Sequence, residues 1–457
     1  MHIHILGICG TFMTGIASMA QTMGHQVTGS DQNFYPPMSD ALKRLNIEVD
    51  KNYDASQLDR RPDCLIVGNV MSRGHPVIES MLDKKIPFKS GPEWLSENIL
   101  NDCFIIAVSG THGKTTTTSM LSWILEDNGY SPGYLIGGIP NNFNASARIG
   151  DSKYFVIEAD EYDTAFFDKR PKFLHYQPNI TIMNNLEFDH ADIYMNIDEI
   201  KWQFHQLIRI TPKSGKIIFN GSDENIHDVI KLGSWTPTET FGLKGSHDWL
   251  GCKVDNNTIS IKHNNAISAT GVWKMSGSYN IENALAAIAA ANTIGIKPSS
   301  SLESLASYKG VRRRLEQLVT ISNVTIYDDF AHHPTSIRKT IEAMQEDHSY
   351  KRIIVAIELR SNTMLSGRHN LALLESTKDA DCIIFFQPTK IKSSLESEDS
   401  FHKNNIQMFH DTEALVVKLT SLVREGDALI FMSNGDFHGT KELLIKKLKL
   451  KLKNLNN

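Results

Sequence analysis

The segment Gly110-Thr111-His112-Gly113-Lys114-Thr115 carries the densest chemistry in the chain. It lies between Cys103–Val108, a continuous apolar run suited to a strand buried on both faces, and a helical segment. Glycines let a backbone wrap closely around a phosphate, and a helix N-terminus presents free N–H groups to it. A lysine reaches the terminal phosphates, and a threonine hydroxyl ligates Mg²⁺. The strict form of such a loop has glycine where Val108 stands. The bland alternative is a glycine-rich turn that happens to contain a lysine; the strand–turn–helix context favours nucleotide binding.

Two further clusters are built for the same chemistry. Glu158-Ala159-Asp160-Glu161-Tyr162-Asp163 follows a strand-like run from Tyr154, and a carboxylate there is placed to hold Mg²⁺, an oxygen-seeking cation. Asn184-Asn185-Leu186-Glu187-Phe188-Asp189-His190 again ends a strand in polar groups, although a lone histidine is more often structural than a ligand. Near the N-terminus, Gly7, Gly10 and Gly15 with Ser30-Asp31 form a weaker fingerprint, spaced unlike GxGxxG. An acidic residue after the second strand could meet a ribose. By itself this leaves NAD and a nucleotide sugar equally open.

The elements that must position these residues alternate. Strands are expected at His2–Leu6, Gly24–Asp31, Cys64–Val67, Cys103–Val108, Tyr154–Glu158 and Ile180–Asn184, and in the last third at Val324–Tyr327, Ile353–Ile357, Cys382–Phe386 and Ala428–Met432. Helical segments separate them, including an alanine-rich one near Ile281–Ile294. Such βαβ alternation predicts parallel, doubly wound sheets whose ligands bind at the carboxyl ends of the strands. The 457 residues suggest about three domains of ~150 residues each. The expected boundaries are 1–100, 101–308 and 309–457, giving a Rossmann-like domain, a central P-loop domain and a second Rossmann-like domain, all α/β.

Composition narrows the partners. A net charge of −5 gives no support to a nucleic-acid partner. The Leu/Lys alternation at Lys446–Lys453 reads first as a solvated tail rather than a membrane-surface anchor. Five cysteines without CxxC spacing argue against a disulfide frame or zinc knuckle. The chain opens directly on a strand-like run, and no apolar stretch reaches ~18 residues, so a cytoplasmic location without membrane contact is expected. Monomer and weak dimer are both left open.

Taken in order, these motifs resemble the Mur ligase family over nearly the whole chain. The family's GTxGKT, E-x-D-E-x-D and D-H patterns are met at 110–115, 158–163 and 189–190. Gly277–Ala284 is similar to its G-x-(H/Y)-N-x-x-N-A segment, and Arg312–Glu316 and Asp328–Pro334 to its last linker and following strand end. The resemblance implies an ATP-dependent amide ligase of cell-wall metabolism that works through an acyl phosphate. It implies nucleotide contacts at Gly110, Thr111, His112, Gly113, Lys114, Thr115, Thr116, Asn283, Arg314 and Asp329. Mg²⁺, with Mn²⁺ as a possible substitute, would be held by Thr115 and Glu158, with His190 serving a second metal ion. Lys114, His190 and His332 would lie at the reacting centre.

Several members carry a modified lysine about a dozen residues after the D-H pair, whereas this chain reads Trp202-Gln203-Phe204-His205 there. That places the resemblance in the branch acting on UDP-N-acetylmuramate, with Gly10, Thr11, Ser30, Asp31, Asn69 and Arg73 expected around the UDP-sugar. Within the branch, the amine is either L-alanine or the recycled tripeptide L-alanyl-γ-D-glutamyl-meso-diaminopimelate. Gly7–Met13, Gly68–Gly74, Phe330, Glu358–Met364 and Ser433–Phe437 resemble the tripeptide enzymes, with Arg360 and Asn362 expected to meet the peptide. Leu359, Asn141, Asn144, Asp436 and His438 depart from the family pattern, the last four standing where glycine is common. Asn and Asp tolerate left-handed backbone, so Asn141, Asn144 and Asp436 are expected to keep their turns. A non-catalytic nucleotide-sugar sensor is the rival of another class.

Overall fold

The computed structural model describes residues 1–34, 36–189, 193–346, 349–360, 364, 370–388, 395, 401 and 406–455, with side chains to 451. His190 and Asn362 lie outside them. The chain divides into two compact units, one comprising 1–188, 193–274 and 281–310, the other 189–192, 275–280 and 311–457.

Strands are numbered in chain order. In the first unit, β1 (His2–Leu6), β2 (Gln26–Ser30), β3 (Glu48–Asp50), β4 (Cys64–Val67) and β5 (Phe88–Ser90) form a sheet of order β3-β2-β1-β4-β5. Every pairing in it is parallel. Helix α1 (Thr11–Thr22) returns the chain from β1 to β2. Its buried Met13, Ile16, Ala17, Met19 and Ala20 join Ile3 and Ile5 in the core.

The second sheet of this unit is built from β6 (Phe104–Ser109), β7 (Gly133–Leu135), β8 (Ala147–Arg148), β9 (Tyr154–Glu158), β12 (Ile180–Met183), β13 (Lys216–Asn220) and β14 (Thr238–Gly242). Beyond β14 it continues into β15 (Trp249–Asp255), β16 (Thr258–His263) and β17 (Ala266–Val272). The small ribbon β10 (Asp163–Ala165) and β11 (Asp168–Pro171) stands apart from it. Around β6 the pairings are parallel. At the β15–β16–β17 edge they are antiparallel, an arrangement absent from the expected strands. Helix α2 (Lys114–Asp127) leaves β6 through the glycine loop and is buried on nearly all sides. Its hydroxyls make that burial possible: Thr118 Oγ1 donates to the Lys114 carbonyl and Ser122 Oγ to that of Thr118, each at 2.8 Å.

In the second unit, β18 (Glu316–Ile321), β19 (Val324–Asp329), β20 (Arg352–Glu358), β21 (Cys382–Phe386), β22 (Ile406–Phe409) and β23 (Asp427–Met432) run in the order β18-β19-β23-β20-β21-β22. Within this sheet, among the described residues, only the β18–β19 pairing is antiparallel. The C-terminal Leu/Lys segment is not a solvated tail. It is helix α3 (Thr440–Leu455), whose Leu444 and Leu448, four residues apart, enter the core beside Leu419 and Phe431. Lys441 is buried and donates to Asp328 Oδ2 at 2.6 Å. Among the described residues, no helix is long and apolar enough to cross a membrane.

Candidate active site

The loop between β6 and α2 is held from three directions. Thr111 N and His112 N donate to the Asn185 carbonyl and Oδ1 at 3.0 and 2.7 Å, and Glu187 N donates to Thr111 Oγ1 at 2.9 Å. Asn184 Nδ2 donates to Thr117 Oγ1 at 2.9 Å, which in turn donates to Asn283 Oδ1 at 3.1 Å. Gly113 caps the helix with φ of +80°, and a Cβ there would stand 2.4 Å from Asn283 Oδ1. Only glycine meets both demands.

Lys114, the first residue of the helix, is buried, and its Nζ donates to the Gly110 carbonyl at 2.7 Å and to Glu161 Oε2 at 2.9 Å. Asp160 Oδ1 lies 3.8 Å away. Burial alone would discharge this ammonium, but the carboxylates of Glu161, Asp160 and Glu158 outweigh it and lift the pKa above the ordinary lysine value. Lys114 is therefore a fixed cation. Asp160 is likewise disfavoured by burial, yet Lys172 and Lys114 hold its pKa below the usual carboxylate range. Lys172 Nζ, 3.2 Å from Asp160 Oδ2, also lies over the Phe12 and Tyr162 rings.

Thr115 Oγ1 donates to Glu158 Oε1 at 3.0 Å, and Gly137 N donates to Glu158 Oε2 at 2.7 Å. A hydroxyl and a carboxylate side by side form a hard-oxygen donor pair that suits Mg²⁺. Thr116 is buried in the first helical turn. Sequence reasoning overlooked the bracing by Asn184 and Asn185, the cation Lys172 and the close approach of Gly137, where a Cβ would lie 2.6 Å from Glu158 Oε2. The Gly137-Gly138 pair was the available signal.

At the carboxyl end of the first sheet, Asp31 closes the β1 turn. Its Oδ2 accepts from Cys9 N at 2.9 Å, and its Oδ1 accepts from Asn33 N at 2.8 Å. The buried Ser30 contributes its carbonyl to Gly7 N and Ile8 N. Gly10 is the N-cap of α1 and Thr11 its first residue. Asn69 is exposed after β4, and Arg73 is held in a two-pronged pair with Glu79, both contacts at 3.0 Å.

The second unit carries its own cluster. Asp329, at the end of β19, is buried and accepts from Leu315 N and Ala331 N. Burial raises its pKa above the usual carboxylate value, against the pull of Arg314 and those N–H groups. Arg314 lies 4.9 Å from the Phe330 ring centre, and His332 Nδ1 is 2.8 Å from the Phe330 carbonyl. Arg360, exposed after β20, lies against Gly435, where a Cβ would be 2.0 Å from its Nη1.

Of the departures, Asn144 takes the left-handed backbone, with φ of +57°. Asn141 does not, and instead donates from its side chain to the Lys309 carbonyl. Asp436 keeps a negative φ, and Phe437 and His438 carry the left-handed turn in its place.

A phosphate-type loop with a fixed cation, an adjacent hard-oxygen pair and α/β sheets on either side of it in sequence define a nucleotide-dependent enzyme class. The chain belongs to the Mur ligase family. Its matches are the Mur ligase family catalytic domain over 2–102, the Mur ligase middle domain over 108–291 and the Mur ligase glutamate ligase domain over 313–435. It is similar to the UDP-N-acetylmuramate–L-alanyl-γ-D-glutamyl-meso-2,6-diaminoheptandioate ligase of Escherichia coli, with 44% identity over 98% of each chain. A murein peptide ligase structure from Psychrobacter arcticus shares 39% identity over 98% of each chain, at a TM-score of 0.78. The UDP-N-acetylmuramate–L-alanine ligase of Clostridium tetani matches at 31% identity over 97% of this chain and 98% of that one.

Proposed function

We propose that this enzyme joins UDP-N-acetylmuramate to the recycled tripeptide L-alanyl-γ-D-glutamyl-meso-diaminopimelate, with ATP going to ADP and phosphate. The observation that carries the amine assignment is the 44% identity to the tripeptide ligase, against 31% to the alanine ligase at similar coverage. As a Mur ligase, the chain is an ATP-dependent enzyme that forms an amide bond.

The lactyl carboxylate of the sugar attacks the γ-phosphorus and ADP leaves. The peptide's free α-amine then attacks the acyl carbon, and phosphate leaves with the bond electrons. Phosphoryl transfer of this kind needs positioning and charge neutralisation more than covalent help. Lys114, held charged by its carboxylate neighbours, supports the role of γ-phosphate ligand. The loop N–H groups and the start of α2 would cradle the phosphates. Thr115 and Glu158 would hold a first Mg²⁺ and His190 would serve a second metal ion; bound divalent ions neutralise phosphate charge. Asn283, Arg314 and Asp329 are assigned to adenine, phosphate and ribose, and His332 to the reacting centre. Gly10, Thr11, Ser30, Asp31, Asn69 and Arg73 are assigned to the UDP-sugar, Arg360 and Asn362 to the peptide. The same reading assigns 1–100 to the UDP-sugar, 101–308 to ATP and 309–457 to the amine, in a cytoplasmic enzyme.

An oxygen-transfer experiment tests this chemistry. With UDP-N-acetylmuramate labelled by ¹⁸O in its carboxylate, and ATP and tripeptide supplied, one label atom should appear in the released phosphate for each amide formed. Phosphate released without label, or no turnover of the tripeptide, would overturn the proposal.

A further inference from the structure

The end of β20 holds a carboxylate whose bonding is half finished. Glu358 is 1% exposed. Its Oε2 accepts from Ser433 Oγ, while its Oε1 is buried and accepts no hydrogen bond among the described residues. The side chain over that oxygen is His438, half exposed, with Nε2 3.4 Å away. The covering loop is itself strained. Phe437 and His438 have φ of +59° and +50°, a conformation that costs L residues energy and that glycine adopts freely. Asp436 Oδ1 accepts from His438 N at 3.1 Å and fixes the turn. Ser433 also accepts from Gly435 N at 2.7 Å, which ties Glu358 to the residue on which the Arg360 guanidinium lies. A buried, unfinished acceptor under a strained cover, one loop away from an exposed guanidinium, is the arrangement expected where a ligand completes the bonding.

We propose that Glu358 receives the distal ammonium of the peptide's diamino acid, and that His438 is the side chain that swings aside to admit it. This rests on the tripeptide reading above. The far end of diaminopimelate carries an ammonium and a carboxylate on one carbon, and Glu358 with Arg360 offers one group of each opposite sign. An ion pair completed inside a buried site is strong and selective, because among the described residues Oε1 accepts no hydrogen bond that the ammonium would have to displace. L-alanine gives Glu358 nothing to bind: its only amine is the nucleophile, and a carboxylate that kept it charged would oppose the reaction. Glu358 is thus a specificity-determining residue and takes no part in bond making.

The test compares the tripeptide with an analogue whose third residue is 2-aminoheptanedioate, which lacks only the distal amine. The wild-type enzyme should show a KM for the analogue at least tenfold above that for the tripeptide, at similar kcat. Glu358→Gln should raise the tripeptide KM about tenfold or more, leave the analogue KM and the KM for ATP unchanged, and so abolish the discrimination. His438→Gly, which removes the cover and relieves the backbone, should lower the tripeptide KM severalfold. Equal losses on both peptides in Glu358→Gln would make Glu358 a brace of the 433–438 loop and overturn the proposal. Equal use of both peptides by the wild type would overturn it too, while leaving the ligase reading intact. Turnover of L-alanine with neither peptide accepted would instead remove the tripeptide reading itself. If Glu358→Gln fails to fold, the wild-type substrate pair and His438→Gly still decide.

Discussion

Two strand–glycine turn–helix segments occur in the first unit, and they differ in what surrounds the turn. The first, β1 through Gly7 and Gly10 into α1, is closed by a carboxylate: Asp31 accepts the Cys9 N–H. No cation occurs between Gly7 and Gly15. The second, β6 through Gly110 and Gly113 into α2, is braced by the amides Asn184, Asn185 and Asn283 and carries Lys114 against Glu158, Asp160 and Glu161. Both helix starts can present N–H groups to an anion. Only the second carries a buried lysine of its own beside a hard-oxygen pair, the equipment that charge neutralisation in phosphoryl transfer calls for.

The largest effect should come from removing that cation. Lys114→Met is expected to lower kcat on the order of a thousandfold, measured as ADP release from the folded fraction. It should also lower Tm, because buried carboxylates lose their partner. Retained turnover would erase the distinction between the two turns.

The glycines sharpen the comparison. Gly113→Ala meets both a φ of +80° and the Asn283 oxygen at 2.4 Å, and a loss of roughly 3 kcal/mol is expected in chemical unfolding. Next in size is a pH effect confined to the first turn. His4, buried in β1 with Nδ1 2.8 Å from Thr28 Oγ1, has its pKa lowered by desolvation to about 4, despite the opposing pull of Asp50. Between that value and its ordinary 6.5 the unfolded chain binds a proton that the folded chain does not. Stability should therefore fall as pH drops through this window, by up to ~3 kcal/mol from this group. His4→Gln should flatten that part of the stability–pH curve; an unchanged slope would refute the assignment. The smallest effect is expected for Gly10→Ala, since Gly10 has φ of −63° and its nearest neighbour to a new Cβ is the Gly7 carbonyl at 3.5 Å. Its unfolding free energy should change by less than about 1 kcal/mol.

The phosphate loop was legible because β6 is continuously apolar and its exit concentrates glycines and a lysine, signals that are local in sequence. The parallel strands flanking it read out for the same reason. The β15–β17 edge did not, since its exposed faces break the apolar run: Cys252, Lys253, Val254 and Asp255 are all open to solvent. Nor did α3, where the repeated lysines masked a stripe made by Leu444 and Leu448. The site's bracing was hidden because it spans long separations in sequence, with Asn283 meeting Thr117 and Asn185 meeting His112. Backbone conformation was legible at Asn144, but at 436–438 the turn moved onto Phe437 and His438, which side-chain propensity disfavours.

This ATP-dependent ligase uses its acyl phosphate to acylate a murein tripeptide. The most direct measurement is a competition in which UDP-N-acetylmuramate and ATP are offered equimolar tripeptide and L-alanine, with the two products separated by mass. UDP-N-acetylmuramoyl-tripeptide should dominate in the ratio of kcat/KM values; predominance of UDP-N-acetylmuramoyl-L-alanine would show that alanine is the preferred amine.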